Sequence, residues 1–258
     1  MAPTDVLEID IADRVATLTM NRPEARNALN RELRAAIPAA MAEADGSDEV
    51  DVIILTGTDP AFCAGLDLRE LGAGANPISG ESGDLIGRPW SITTKPVIGA
   101  VNGPAITGGF ELGLNCDFLI ASDRARFADT HARVGVMPGW GLTVLLPQAI
   151  GVRRARELSL TGNFLDAPTA AAWGLVNRVV DHDQLLPTAR ALAADISGND
   201  QRGVARMLET YRAVTGTTVD EGWRVEARMG SEWAQGGIDP ASIEARRQAI
   251  VDRGRSQL

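Results

Sequence analysis

Two short apolar runs, VDVIILT at residues 50–56 and KPVIGAV at 95–101, constrain the fold more than any other feature of the chain. Each ends in turn-forming residues, Gly57-Thr58-Asp59-Pro60 after the first and Asn102-Gly103 after the second. Each reads as a short buried strand. Around them the pattern alternates. Val6–Ile11 and Val15–Met20 form a β-prone pair about Ala12-Asp13-Arg14, a hairpin. Asn27 caps a helix with apolar residues at Leu29, Leu33, Ile37 and Met41, and Pro38 kinks it. The run ITGGFELGLNCD turns from strand into helix, and DFLIASDRARFAD returns to strand. The first two-thirds is therefore an α/β chain of repeated ββα or βα units. Residues 72–83, GAGANPISGESG, read as a mobile loop.

From Leu142 onward the helical spacing dominates, with segments at 152–161, 166–173, 183–197, 200–214 and 218–235. The stretch ISGNDQ at 196–201 separates a core domain, residues 1–197, from a helical region, residues 198–258. A length of 258 residues suits that division, one large domain with an appendage. A net charge of −9 repels phosphate at long range, which speaks against general nucleic-acid or anionic-membrane binding. No run approaches the roughly 20 apolar residues of a membrane span. Two cysteines and two histidines are too few for a disulfide framework or a Cys/His zinc site, so no metal is expected, and the reducing cytoplasm is the expected location.

Two segments carry the candidate chemistry. In GTDPAFCAGLDL, 57–68, a buried strand ends in a turn whose small residues, Ala64 and Gly65, allow close approach of a ligand to the backbone. In VNGPAITGGFELGLNCD, 101–117, a glycine pair precedes Glu111 and an apolar helix. Unpaired N–H groups at a helix start suit an oxyanion, and the same dipole favours a first-turn carboxylate. Either segment alone has a plainer reading: glycines let the chain turn, and a first-turn Glu stabilises a helix. The nucleotide motifs GxGxxG and GxxxxGK[ST] and the hydrolase elbow GxSxG are all missing.

The order of motifs is more specific. NRPEARNALN (21–30), GTDPAFCAGLDL, KPVIGAVNGPAITGGFELGLNCD (95–117), FADTHARVGVMPGWG (127–141) and LTGNFLDAPTAAAWGLVNRVV (160–180) together resemble the enoyl-CoA hydratase/isomerase family, the crotonase superfamily. The resemblance covers roughly residues 5–185. It implies a crotonase-like spiral of ββα units with a helical C-terminal region used in trimerisation, as a homo-trimer or hexamer. It implies an acyl-CoA thioester as ligand, with coenzyme A entering as part of the substrate and no separate cofactor. The backbone N–H groups of Ala64 and Gly108 would form an oxyanion hole for the thioester enolate. Ala25, Arg26, Asp67 and Leu68 would line the CoA site, with Arg22 and Arg26 either meeting its phosphates or standing as solvated surface charges.

Family hydratases commonly pair two glutamates. Glu111 fills the place of the first, and His131, four residues before Gly135, stands at the second. Thr107 is another departure, where the family often has glycine. Hydration needs a water activated at the β-carbon and a proton at the α-carbon. Glu111 can activate the water; His131 either handles the second proton or fills space. Asp129 lies two residues before His131 and either pairs with it or is a turn or surface residue. Phe110 and Trp140 shape the acyl pocket or belong to the core. His182 reads as structural. The tail, IEARRQAIVDRGRSQL, has neither the Lys nor the Phe that the family often brings to a neighbour's CoA, leaving Arg253 or Arg255 as the cation. The reading is an enoyl-CoA hydratase-type lyase. The alternatives are another acyl-CoA reaction of the superfamily (thioester or C–C hydrolysis, decarboxylation, isomerisation) or acyl-CoA binding without turnover.

Overall fold

The computed structural model describes residues 4–73, 87–236 and 240–256. The expected mobile loop therefore lies, from residue 74 on, outside the described residues. Elements run β1 (Leu7–Ala12), β2 (Val15–Met20), α1 (Arg31–Gly46), β3 (Val52–Gly57), α2 (Leu68–Gly72), β4 (Val97–Val101), β5 (Pro104–Ile106), α3 (Gly108–Leu114), β6 (Phe118–Ser122) and β7 (Arg126–Ala128). There follow α4 (His131–Val134), α5 (Leu142–Ile150), α6 (Val152–Thr161), β8 (Leu165–Asp166), α7 (Ala167–Trp173), β9 (Arg178–Val180), α8 (Leu185–Ser197), α9 (Gln201–Val214), α10 (Val219–Gln235) and α11 (Pro240–Ser256).

The hairpin forms as the sequence predicts. β1 and β2 pair antiparallel, and Asp13 and Arg14 both take positive φ, 50° and 64°, the geometry that a tight two-residue turn between right-twisted strands requires. The main sheet has the order β1-β2-β3-β4-β6-β9, and every pairing after the hairpin is parallel. Both faces of β3 are buried. Val52 and Ile54 face Leu185, Ala189 and Ala193 of α8, while Ile53 and Leu55 join Leu33, Ile37 and Met41 of α1 in the larger core. A strand covered on both sides must be apolar at every position, which is why VDVIILT shows no alternation.

Helix α1 begins three residues later than expected. Its cap is Asn30, whose side chain accepts the Leu33 N–H at 2.9 Å. Asn27 is instead buried, at φ 55°, with its amide donating to the Thr58 and Ala61 carbonyls at 2.8 and 2.7 Å while its oxygen accepts the Arg22 N–H. An Asn spent on pinning one loop to another cannot also cap a helix. The helix runs through Pro38.

A second sheet, β5-β7-β8, positions the site. β5 and β7 are parallel, with Ala105 opposite Phe127 and Ile106 opposite Ala128. Whatever follows one strand therefore lies beside whatever follows the other. The loop before α2 joins this sheet too: the Cys63 N–H donates to the Pro104 carbonyl at 3.0 Å, and the Ile106 N–H to the Cys63 carbonyl at 2.9 Å. Phe110 is core, fully buried with its ring 5.5 Å from that of Phe127.

The chain divides into two compact units, Met1–Ala205 and Arg206–Leu258. The division falls inside α9, past the compositional break at 196–201. Within the second unit Arg206 bridges Glu209 and Glu232 at 2.8 and 2.7 Å, and Thr218 caps α10 by accepting the Glu221 N–H. Helix α11, for which the sequence analysis assigns no segment, also lies here.

The tightest backbone approach is at Gly109. A Cβ placed there would sit 2.1 Å from the Cys63 carbonyl oxygen. Gly109→Ala must therefore push α3 off the 57–68 turn. We expect a loss of about 3 kcal/mol in urea unfolding, the upper range for overpacking; a change under about 0.5 kcal/mol would show that the approach is not so close in solution.

Candidate active site

Because β5 and β7 are paired, Gly108 and Glu111 on one chain segment meet Asp129 and His131 on the other. Glu111 and His131 are both buried, at 3% and 5% exposure, and the imidazole Nε2 lies 3.6 Å from Glu111 Oε2. The other ring nitrogen, Nδ1, is 2.6 Å from Asp129 Oδ1, and the same carboxylate oxygen accepts the His131 backbone N–H at 3.1 Å. Asp129 is thus a partner of the imidazole and no surface residue. The three side chains form a line, carboxylate–imidazole–carboxylate.

Electrostatics follow from that line. Burial alone would lower the His131 pKa. Hydrogen bonds to Asp129 and Glu111 and the charge of both carboxylates outweigh it, and the imidazole is raised from its ordinary 6.5 to about 9. Burial pushes the Asp129 carboxyl up, but hydrogen bonds from His131 and Ser159 bring it below the usual range. His131 is accordingly an imidazolium at neutral pH, held between two acids.

The opposite oxygen of Glu111 is occupied. Oε1 accepts the Trp140 N–H at 2.8 Å and, more weakly, the Leu142 N–H at 3.4 Å. The Asn115 amide donates to the Trp140 carbonyl at 2.8 Å and closes the ring. These supports are backbone groups of the Pro-Gly turn, and no side-chain pattern in the sequence signals them. They fix Glu111 with Oε2 turned to His131.

The oxyanion donors need one correction. The Gly108 N–H has no acceptor among the described residues. The Ala64 N–H has one: it donates to the Arg26 carbonyl at 3.0 Å, because Arg26 at φ 52° turns that carbonyl onto the turn. The Gly65 N–H faces the Cys63 sulfur and the Asp67 N–H is committed to Leu29. Between Cys63 and Asp67, the Leu66 N–H is the one with no acceptor among the described residues. Gly65 brings the two segments together, since a Cβ on it would lie 3.5 Å from the Gly108 nitrogen.

The residues expected to line a CoA site fall into two groups. Ala25 is half-buried, and Arg26 and Leu68 are exposed. Asp67 is internal in its bonding. It caps α2 through the Arg69 N–H and pairs with Arg22 at 3.1 Å. Burial would raise its pKa, but these bonds hold it below the usual range. Arg22 also donates to the Ala28 carbonyl, so its charge is already matched within the loop. Arg253 and Arg255 lie on the last turns of α11 in the second unit, Arg255 at 3.9 Å from Asp252. His182 bridges Ser122 and Asp59 at 3.0 and 2.9 Å, a structural place as expected. Among the described residues no cluster of His, Cys, Asp or Glu has metal-binding geometry, and no helix is long and apolar enough to cross a membrane.

Comparison with known proteins gives one answer. The sequence profile described as enoyl-CoA hydratase/isomerase matches residues 10–238. A crystal structure of an enoyl-CoA hydratase from Mycobacterium tuberculosis H37Rv is 53% identical, with a TM-score of 0.76 over 88% of this chain and 98% of that one. A Geobacillus kaustophilus enoyl-CoA hydratase subunit superposes at a TM-score of 0.84 with 32% identity, covering 95% of both chains. The Arabidopsis thaliana protein named "Probable enoyl-CoA hydratase 1, peroxisomal" is 42% identical over 75% of this chain and 73% of its own length.

His131 gains its carboxylate partners on folding. Its contribution to stability is therefore complete below pH 6.5 and lost as pH rises through about 9. Asp129→Asn removes one partner. Imidazole titration followed by NMR should move well below 9, and stability should fall less steeply between those values. Titration still near 9 in the variant would mean that Asp129 does not hold the proton.

Proposed function

Since the chain belongs to the enoyl-CoA hydratase/isomerase family, we propose that it adds water across the double bond of a trans-2-enoyl-CoA. The observation that carries this reading is the buried Glu111–His131 pair, together with two backbone N–H groups that have no acceptor among the described residues. The thioester oxygen is taken by the N–H groups of Gly108 and Leu66, the latter in the role the sequence suggested for Ala64. Negative charge grows on that oxygen only as the reaction proceeds, so fixed donors favour the transition state over the substrate.

The proton steps balance within the pair. Glu111 Oε2 removes a proton from water as the water oxygen bonds to the β-carbon. The π electrons move through the α-carbon to the thioester oxygen. The enolate then takes a proton at the α-carbon from the His131 imidazolium, and the glutamic acid returns its proton to the imidazole across 3.6 Å. Asp129 keeps the imidazole charged beforehand and oriented through Nδ1. Replacing a second glutamate by histidine thus preserves an acid and a base, with the acid cationic.

The same reading assigns Ala25, Arg26 and Leu68 to the CoA channel. Arg26, exposed at its rim, meets a phosphate, and the Asp67–Arg22 pair braces the wall. Exposed Tyr211 and Trp223 on the helical unit suit a homo-oligomeric interface, trimer or hexamer. Cys63 and Cys116 are buried free thiols, in keeping with a reducing cytoplasm and a role in acyl-CoA breakdown.

Incubation with trans-2-enoyl-CoAs of several chain lengths, followed by loss of the conjugated-thioester absorbance and by product mass, tests the function. A water adduct is expected, and Glu111→Gln should lower kcat by about 10²–10⁴-fold, the usual contribution of a general base. Wild-type protein that yields only free CoA, a shortened acyl group or unchanged substrate would overturn the hydratase reading.

A further inference from the structure

Thr107 sits where a β-branched residue is least at ease. It is buried, with φ 53° and ψ −111°, a region that glycine enters freely and threonine only under strain. Its bonds connect everything the site uses. Its N–H donates to the Ala128 carbonyl at 2.8 Å, and its carbonyl accepts the Glu111 N–H at 2.9 Å. Its hydroxyl is hydrogen-bonded to the Thr130 hydroxyl and accepts the Thr130 N–H at 3.3 Å. It is joined by peptide bonds to Gly108 on one side, while Thr130 is joined to His131.

The two hydroxyls meet just past the ends of β5 and β7, where the sheet pairing has stopped. Besides the approach of Glu111 to His131, they are a direct side-chain link between the start of α3 and the start of α4. Glycine at 107 would serve the backbone with less strain, so a folding role alone does not account for threonine. Thr107 and His131 are also the two positions at which the motifs depart from the family's glycine and glutamate.

We propose that the Thr107–Thr130 hydroxyl pair is a clamp that sets the His131 imidazole against Glu111 and the Gly108 N–H, with Thr107 a positioning residue for the reaction. The proposal rests on the hydratase reading above. Proton transfer to a carbon tolerates little displacement of the donor, so loosening the clamp should act on turnover more than on binding.

The test compares Thr107→Val, which keeps the shape and loses the hydroxyl, with Thr107→Ser, Thr130→Val and the double valine variant, all assayed on a trans-2-enoyl-CoA. Each valine variant should lose about five- to tenfold in kcat, the value of one hydrogen bond, with KM within about twofold. Thr107→Ser should recover most of the rate, and the double variant should be no worse than the poorer single one. Unchanged kcat in a folded Thr107→Val protein, or losses that multiply in the double variant, would overturn the clamp. If Thr107→Val does not fold, Thr130→Val reads the same bond from its other end. The chain has only two histidines, so ¹⁵N-histidine labelling gives two imidazole signals. Thr107→Val should shift the His131 signals and leave those of His182 in place. That readout decides the clamp even if the wild-type protein hydrates nothing: His131 signals that do not move would end the proposal, independently of the hydratase reading.

Discussion

The contact between Gly109 and the Cys63 carbonyl is the constraint on which the site depends. A side chain at 109 would collide with that oxygen, so helix α3 can seat itself on the 57–68 turn only because nothing projects there. The two hydrogen bonds between Cys63 and β5, one donated from each side, set the height of the turn against the strand. Together they hold Gly65 against the start of α3, where a Cβ on it would lie 3.5 Å from the Gly108 nitrogen. On the hydratase reading this seating matters because the charge that grows on the thioester oxygen would rest on the Gly108 and Leu66 N–H groups.

A second layer of support is polar and buried. Asn27 ties the 21–30 loop to the 57–61 turn through two hydrogen bonds and braces that loop through a third from the Arg22 N–H, while Arg22 and Asp67 neutralise each other. Asp129, His131 and Glu111 do the corresponding work on the other side. Each of these groups is expensive to bury alone and acceptable only when its partners are fixed. The polar layer therefore makes the loops as definite in position as the strands are.

Much of this was legible in the chain. The buried strands and the Gly-Gly-Phe-Glu start of α3 follow from local pattern, and so does the run of C-terminal helices up to α10. The place of His131 was implied by the family resemblance. What failed did so for identifiable reasons. Asn27 carries the residue type of a cap, but tertiary partners outbid the helix for its amide. Ala64 was chosen from a motif, whereas which N–H stays open is decided by the Arg26 carbonyl, a backbone group that no side-chain pattern announces. Thr107 was visible as a departure, yet its bond to Thr130 exists only because β5 and β7 lie side by side. Pairings between distant segments, and backbone donors above all, are the part that a single sequence does not display.

The strand order has a consequence for the chain as it is made. Strands β2, β3, β4 and β6 enter the main sheet in the order of synthesis, each beside the last. The outer edge of β6 is then left until β9 arrives at Arg178–Val180, after the whole of the second sheet and four helices have been formed. Until that point the nascent protein carries an open, largely apolar strand edge, the kind of surface on which chains mispair. The segment from 123 to 177 thus both brings Asp129 and His131 to Glu111 and spans the interval during which the growing polypeptide is most in need of protection from its neighbours on the ribosome.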